Sequence, residues 1–151
     1  MTTSAIINPN NLKIEGFYCA DYHEKNKTVV LLYQDIREII PAGLVVDDHD
    51  VLVEPEELIR LQNVMKLNFE LVGKPVYSDT GERLGKVSDY AADKATMYIQ
   101  KIYVSQSIIK SFSGGGLSID RNQIVEITSK KIVIQDILKP TKALSGATAT
   151  A

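Results

Sequence analysis

Two stretches of this chain, Leu31–Asp48 (LLYQDIREIIPAGLVVDD) and Ile119–Asp136 (IDRNQIVEITSKKIVIQD), align without a gap, 88 positions apart. They are identical at Ile36/Ile124, Glu38/Glu126, Ile39/Ile127, Val45/Val133 and Asp48/Asp136, and aliphatic in both at Leu31/Ile119, Leu44/Ile132 and Val46/Ile134. An internal repeat at fixed spacing marks one supersecondary unit made twice. The chain therefore reads as two copies of a small domain, with Ile36, Ile39, Ile124 and Ile127 as buried positions of equivalent strand pairs. Within 151 residues each copy has about 60–75, a size that buries a small share of its surface and gains by packing on a neighbour.

The pattern between turn signals is one of short strands. Leu12–Cys19 reads as a strand, Asp21–Lys27 as a hydrophilic connection, and Thr28–Tyr33 (TVVLLY) as a β-branched run too short for a helix. Pro41-Ala42-Gly43 is a turn, and Leu44–Val46 and Val51–Val53 are strands around the acidic turn Asp47-Asp48-His49-Asp50. Residues 1–11 read as polar and turn-rich around Ile6-Ile7. In the second half Phe69–Tyr77, Leu84–Tyr90 and Met97–Val104 are strands, and Asp79–Glu82 is a hairpin turn. Glu54–Lys66 is the exception. Pro55 suits a first helical turn, Glu56 and Glu57 suit its positive end, and Leu58, Leu61 and Met65 fall on one face. The expected organisation is a first copy over 1–54, a connecting helix over 55–66, a second copy over 67–140 and a disordered tail over 141–151.

From Gly73 onward the chain resembles the PRC-barrel family. The resemblance is carried by LVGKPVYSDTGERLGKVSDYAAD, IQKIYV and LSIDRNQIVEITSKKIVIQD, with the Gly73 turn, the Asp79-to-Gly81 hairpin, Gly85 and the Ile124-to-Ile134 strand pair in order. The first copy matches through its LLYQDIREI-to-VVDD block, with Gly16 set against Gly73, and lacks the Asp-x-Gly hairpin. The resemblance implies a six-stranded SH3-like β-barrel for each copy. The expected fold is therefore all-β, two PRC barrels in tandem joined by a short helix.

The chain carries little recognisable chemistry. Its two histidines, His23 and His49, lie in hydrophilic turns, and Asp47–Asp50 lacks the alternating ligand spacing of a calcium loop. Cys19 has no CxxC partner and reads as a small buried hydrophobe, which fits a reducing cytoplasm. Gly114–Gly116 is followed by a strand, so it presents no helix N-terminus to a phosphate. No nucleophile–base arrangement can be assembled, and the expectation is a protein that is not an enzyme, with no cofactor and no metal. Residues 1–66 carry six basic against eleven acidic side chains and residues 67–151 eleven against eight, hence −5 and +3. Opposite signs favour contact between the halves, while +3 is too weakly basic for strong nucleic-acid binding.

What remains is a surface. Tyr98, Tyr103, Phe112 and Arg121 surround the loop Ser111–Gly116, and aromatics with arginine are the residue types that anchor interfaces. The leading expectation is a non-catalytic docking module that binds a protein partner or self-associates, cytoplasmic and not inserted in a membrane. Two alternatives are kept. One is an RNA- or ribosome-associated assembly factor, which the family's ribosome-maturation member implies. The other is a ligand or metal sensor using a cleft between the barrels.

Overall fold

The structure is a computed structural model that describes residues 1–106 and 116–135. Phe112, Asp136 and the tail expected over 141–151 lie outside the described residues. In the first half, β1 (Thr2–Asn8), β2 (Lys13–Ala20) and β3 (Thr28–Leu32) form an antiparallel meander. A 3₁₀ turn at Tyr33–Asp35 then leads to the two-stranded pair β4 (Glu38–Ile40) and β5 (Gly43–Val45). β1 corrects the turn-rich reading of residues 1–11. Ala5 and Ile7 pack on the large core while Ile6 is buried beside Val64, Met65 and Phe69, so apolar residues occur on both faces and the period-two signal of a strand is lost. Val53 is not part of a strand: it makes a lone bridge to Val30 on the outer edge of β3.

The expected helix over 55–66 is also corrected. The stretch is broken into 3₁₀ turns at Pro55–Glu57 and Ile59–Leu61 and a five-residue helix, α1 (Gln62–Lys66). Leu58, at φ −88° and ψ 70°, interrupts it, and no side chain caps any of the three N-termini. Leu58, Leu61 and Met65 are half-buried.

The second half is one six-stranded sheet of β6 (Pro75–Ser78), β7 (Arg83–Ala92), β8 (Ile99–Ser105), β9 (Leu117–Asp120), β10 (Ile124–Ile127) and β11 (Ile132–Ile134). Its order is β10-β11-β6-β7-β8-β9, antiparallel throughout except for the parallel pair β11–β6. A 3₁₀ turn, Arg121–Gln123, joins the edge strands β9 and β10, and the Asp120 carboxylate and Gln123 amide cap it reciprocally. The structure is mostly β with one short helix, as an all-β fold requires, but its sheets do not close into two barrels.

The two halves share strand registers. β1–β2 pairs Ser4 with Tyr18, Ala5 with Phe17 and Ile7 with Ile14, and β7–β8 pairs Asp89 with Tyr103, Tyr90 with Ile102 and Ala92 with Ile99, each 85 positions on. Both hairpins shift register at equivalent places, between Thr2 and Ser4 and between Val87 and Asp89. β4–β5 and β10–β11 pair Glu38 with Val45 and Glu126 with Val133, 88 positions on. Gly16 therefore corresponds to Lys101, not to Gly73. The first half has no counterpart of β6 among the described residues.

The cores follow the registers. Cys19, Val29 and Leu31 pack with Phe17, Ile36, Leu44 and Val46 in the first half. Val104, Leu117, Ile119, Ile102, Ile124, Ile132 and Ile134 occupy the corresponding places in the second. The larger cluster also takes in Ile7, Leu12 and Ile14 from the first half, so one apolar core spans both. Ile36, Ile39, Ile124 and Ile127 pack against this core but are half-buried, less enclosed than the repeat suggested.

Candidate functional site

The chemistry-bearing side chains gather where the two halves meet. Lys13 and Tyr98 are bridged antiparallel at the tips of the β1–β2 and β7–β8 hairpins. Ile14 N–H donates to Met97 C=O at 2.9 Å and Ile99 N–H to Leu12 C=O at 2.8 Å. These partners are equivalent by register, so the contact has the self-complementary form of a two-fold dimer interface, made within one chain. Both hairpins are shaped by the same local devices. Asn8 and Asp93 each accept a backbone N–H two residues on, at 3.0 Å in both cases, and Leu12 and Met97 take φ of 53° and 63°.

Charged and aromatic side chains clamp this seam. The Lys13 ammonium donates to the Tyr33 hydroxyl at 3.0 Å and lies 4.1 Å from the Tyr33 ring centre and 5.6 Å from that of Tyr98. That hydrogen bond raises the Lys13 pKa above its ordinary value, burial opposing it. Arg121 sits 5.1 Å from the Tyr98 ring centre and donates to Ile99 C=O at 3.2 Å and to Asn11 C=O. Tyr33 and Arg121 open the two equivalent 3₁₀ turns, so the two halves supply different side chains to related places.

Two grooves flank the seam. One, of about 470 Å³, runs between Tyr33, Arg37 and Ile39 of the first half and Lys94, Ala95 and Met97 of the second. The other, of about 410 Å³, lies between Asn10 and Asn11 of the first half and Arg121, Ile124, Glu126 and Ile127 of the second. Each pairs the strand after a 3₁₀ turn with the opposite hairpin tip.

Of the four residues singled out from the sequence, the structure brings Tyr98 and Arg121 together. Tyr103 lies on the outer face of β8, 38% exposed, and Phe112 falls outside the described residues. Sequence reasoning missed Lys13 and Tyr33. The signal for Tyr33 was present, since it aligns with Arg121 two residues into the repeat.

The histidines form a second cluster. His49 Nε2 is 3.3 Å from the buried Asp21 carboxylate, and the His23 and His49 rings meet edge to face at 5.3 Å. The backbone N–H of His23, together with His49, holds the Asp21 carboxyl below the usual range against the effect of burial. Asp48 is used in capping the Asp50 N–H, and Asp47 pairs with Arg37 at 3.5 Å. Among the described residues no group of three or more His, Cys, Asp or Glu could hold a metal ion. Cys19 is buried with its thiol pushed up by that burial, and it donates to Phe17 C=O at 3.6 Å.

Short, mostly antiparallel strands with a parallel closing pair, and aromatic–cation contacts in place of a buried polar centre, define a small β-module. A family model for the PRC-barrel domain matches residues 64–139, just over half of the 151, from α1 through β11. The chain belongs to the PRC-barrel family. No curated protein matches it. No helix among the described residues is long and apolar enough to cross a membrane.

Proposed function

We propose that this chain is a non-catalytic docking module whose halves are two copies of one PRC-type SH3-like unit, the first diverged and lacking its opening strand. The shared registers support the duplication. The observation that carries docking is the stretch joining the halves: Ile59 is 83% exposed, Leu67 57% and Val72 50%. On this reading the three side chains contribute to one apolar surface that a partner covers, as contiguous exposed apolar patches do. Beside Ile59 a cavity of about 530 Å³ is lined by Leu32, Tyr33, Leu58 and Leu61, with Glu57 and Arg60 at hand to orient what enters.

The test compares the native chain with Ile59→Asp. Affinity capture and sedimentation over a concentration range should show a partner, or a dimer, that the variant loses while keeping its fold. Identical capture profiles and sedimentation for both proteins would overturn the reading.

A further inference from the structure

β4–β5 and β10–β11 share a register but not a neighbour. In the second half β6 lies parallel to β11, pairing Ile132 with Val76 and Ile134 with Ser78, and Ile134 C=O accepts the Asp79 N–H at 2.8 Å. Val76, Ile132 and Ile134 are thereby sealed, each 0% exposed. In the first half β5 has β4 as its single strand neighbour among the described residues. Leu44 and Val46, the counterparts of Ile132 and Ile134, pack on Cys19, Val29 and Leu31 yet stay half-exposed. Val51 and Leu52 return over this small core, but Val53 bonds to Val30 of β3 at 2.8 and 3.1 Å, and the outer edge of β5 has no strand partner among the described residues.

We propose that the open edge of β5 is a strand-addition site for an extended peptide from a protein partner, running parallel to β5 as β6 runs along β11. Backbone hydrogen bonds supply affinity in this mode and alternate side chains supply specificity. The geometry of β6 defines the residues: a β-branched apolar side chain opposite Leu44, as Val76 lies opposite Ile132, and a small one opposite Val46, as Ser78 lies opposite Ile134. Charge selects the residues at the peptide's C-terminal flank. Asp47, Asp48 and Asp50 come directly after β5, with Arg37 paired to Asp47 at 3.5 Å through groups that are mostly exposed. A parallel strand brings its C-terminal flank beside these acids, so the partner carries Lys or Arg there, at the place of Asp79, which follows β6 and bonds through its N–H to Ile134 C=O. The site rests on the docking reading in taking a protein partner, but uses a different surface from Ile59.

The probes are two synthetic peptides of residues 72–81, VGKPVYSDTG, one with Asp79→Lys and one with Asp79→Glu, titrated into the full isotope-labelled chain. Saturable shifts should centre on the amides of Leu44–Asp47. The Lys peptide should bind roughly threefold to fivefold tighter at low salt, the gap narrowing as salt is added. The surface substitution Asp47→Lys should reverse the order, and Ile59→Asp should leave it unchanged. The proposal falls if neither peptide shifts these amides, if Asp47→Lys leaves the order unchanged, or if Leu44 and Val46 are already protected from hydrogen exchange in the free chain. Should the peptides fail while Ile59→Asp still loses its partner, docking stands and the β5 site does not.

Discussion

Gly85 takes φ of +151° within β7, and a β-carbon added there would lie 2.1 Å from the Ser105 carbonyl oxygen. The obstacle is backbone, which cannot swing aside, so β7 and β8 would have to separate. Gly85→Ala should lower the unfolding free energy by about 1–3 kcal/mol in urea denaturation. Gly81, at φ +90° with open space around it, tests strain without the clash, and its Ala variant should lose less. Two carboxyls govern acid behaviour. Asp21 is held below the ordinary aspartate range chiefly by the His23 N–H, and Asp93 chiefly by the Thr96 N–H. A depressed folded pKa contributes stability that is complete above the unfolded value, about 3.9, and is lost as pH falls through the folded value. The native chain should therefore weaken from about pH 5 downward, and Asp21→Asn or Asp93→Asn should flatten that slope in denaturation series at stepped pH.

At the scale of elements, β11 and β10 make a controlled pair. Ile134 is 0% exposed between β10 and β6, whereas Ile124 is half-buried at the sheet edge. Ile134→Ala should cost roughly 2–5 kcal/mol through lost transfer and a residual cavity, and Ile124→Ala distinctly less. Equal losses would show that the edge position is enclosed in solution. The strand pairs after each 3₁₀ turn were legible in the sequence because their apolar residues keep one spacing in both halves. The hairpins before them were not, since Ile14/Ile99 and Tyr18/Tyr103 are the identities left between 2–20 and 87–105. Outward positions of a strand tolerate any polar residue, and the burial of Ile6 beside Val64 and Met65 hid the alternation that would have disclosed β1. The connector misled for a different reason. Its leucines have helical spacing, but Leu58 leaves the helical region and no cap starts a helix that packing could extend. Of the candidate site, the aromatic–cation composition was readable in Tyr98 and Arg121, but their convergence on Lys13 depends on two hairpin tips far apart in sequence.

For the whole molecule, a net charge of −2 with the acidic half leading offers little overall attraction to phosphates, so RNA should bind weakly at physiological salt with a shallow salt slope. Filter binding that shows submicromolar affinity collapsing as salt rises would restore the assembly-factor alternative. How the halves unfold is decided at the seam. Ile7, Leu12 and Ile14 from one side and Met97 and Ile99 from the other belong to a single buried cluster. Lone units of this size are marginal, and neither half can expose that cluster without leaving apolar surface and hairpin backbone groups unpaired. One cooperative transition is therefore expected, with residue-resolved amide signals from both halves disappearing together in denaturant. The connector, half-exposed at Leu61, is a poor place to break this coupling, and Arg121 is the better one. Its guanidinium donates to Asn11 C=O across the seam and to Ile99 C=O within its own half. Arg121→Ala removes charge-assisted bonds to backbone and should cost about 1.5–3 kcal/mol. Because the bond to Asn11 joins the halves, the variant should also broaden or split the transition, the first half melting earlier. Two separate transitions in the native chain would show instead that the shared cluster does not hold the halves together.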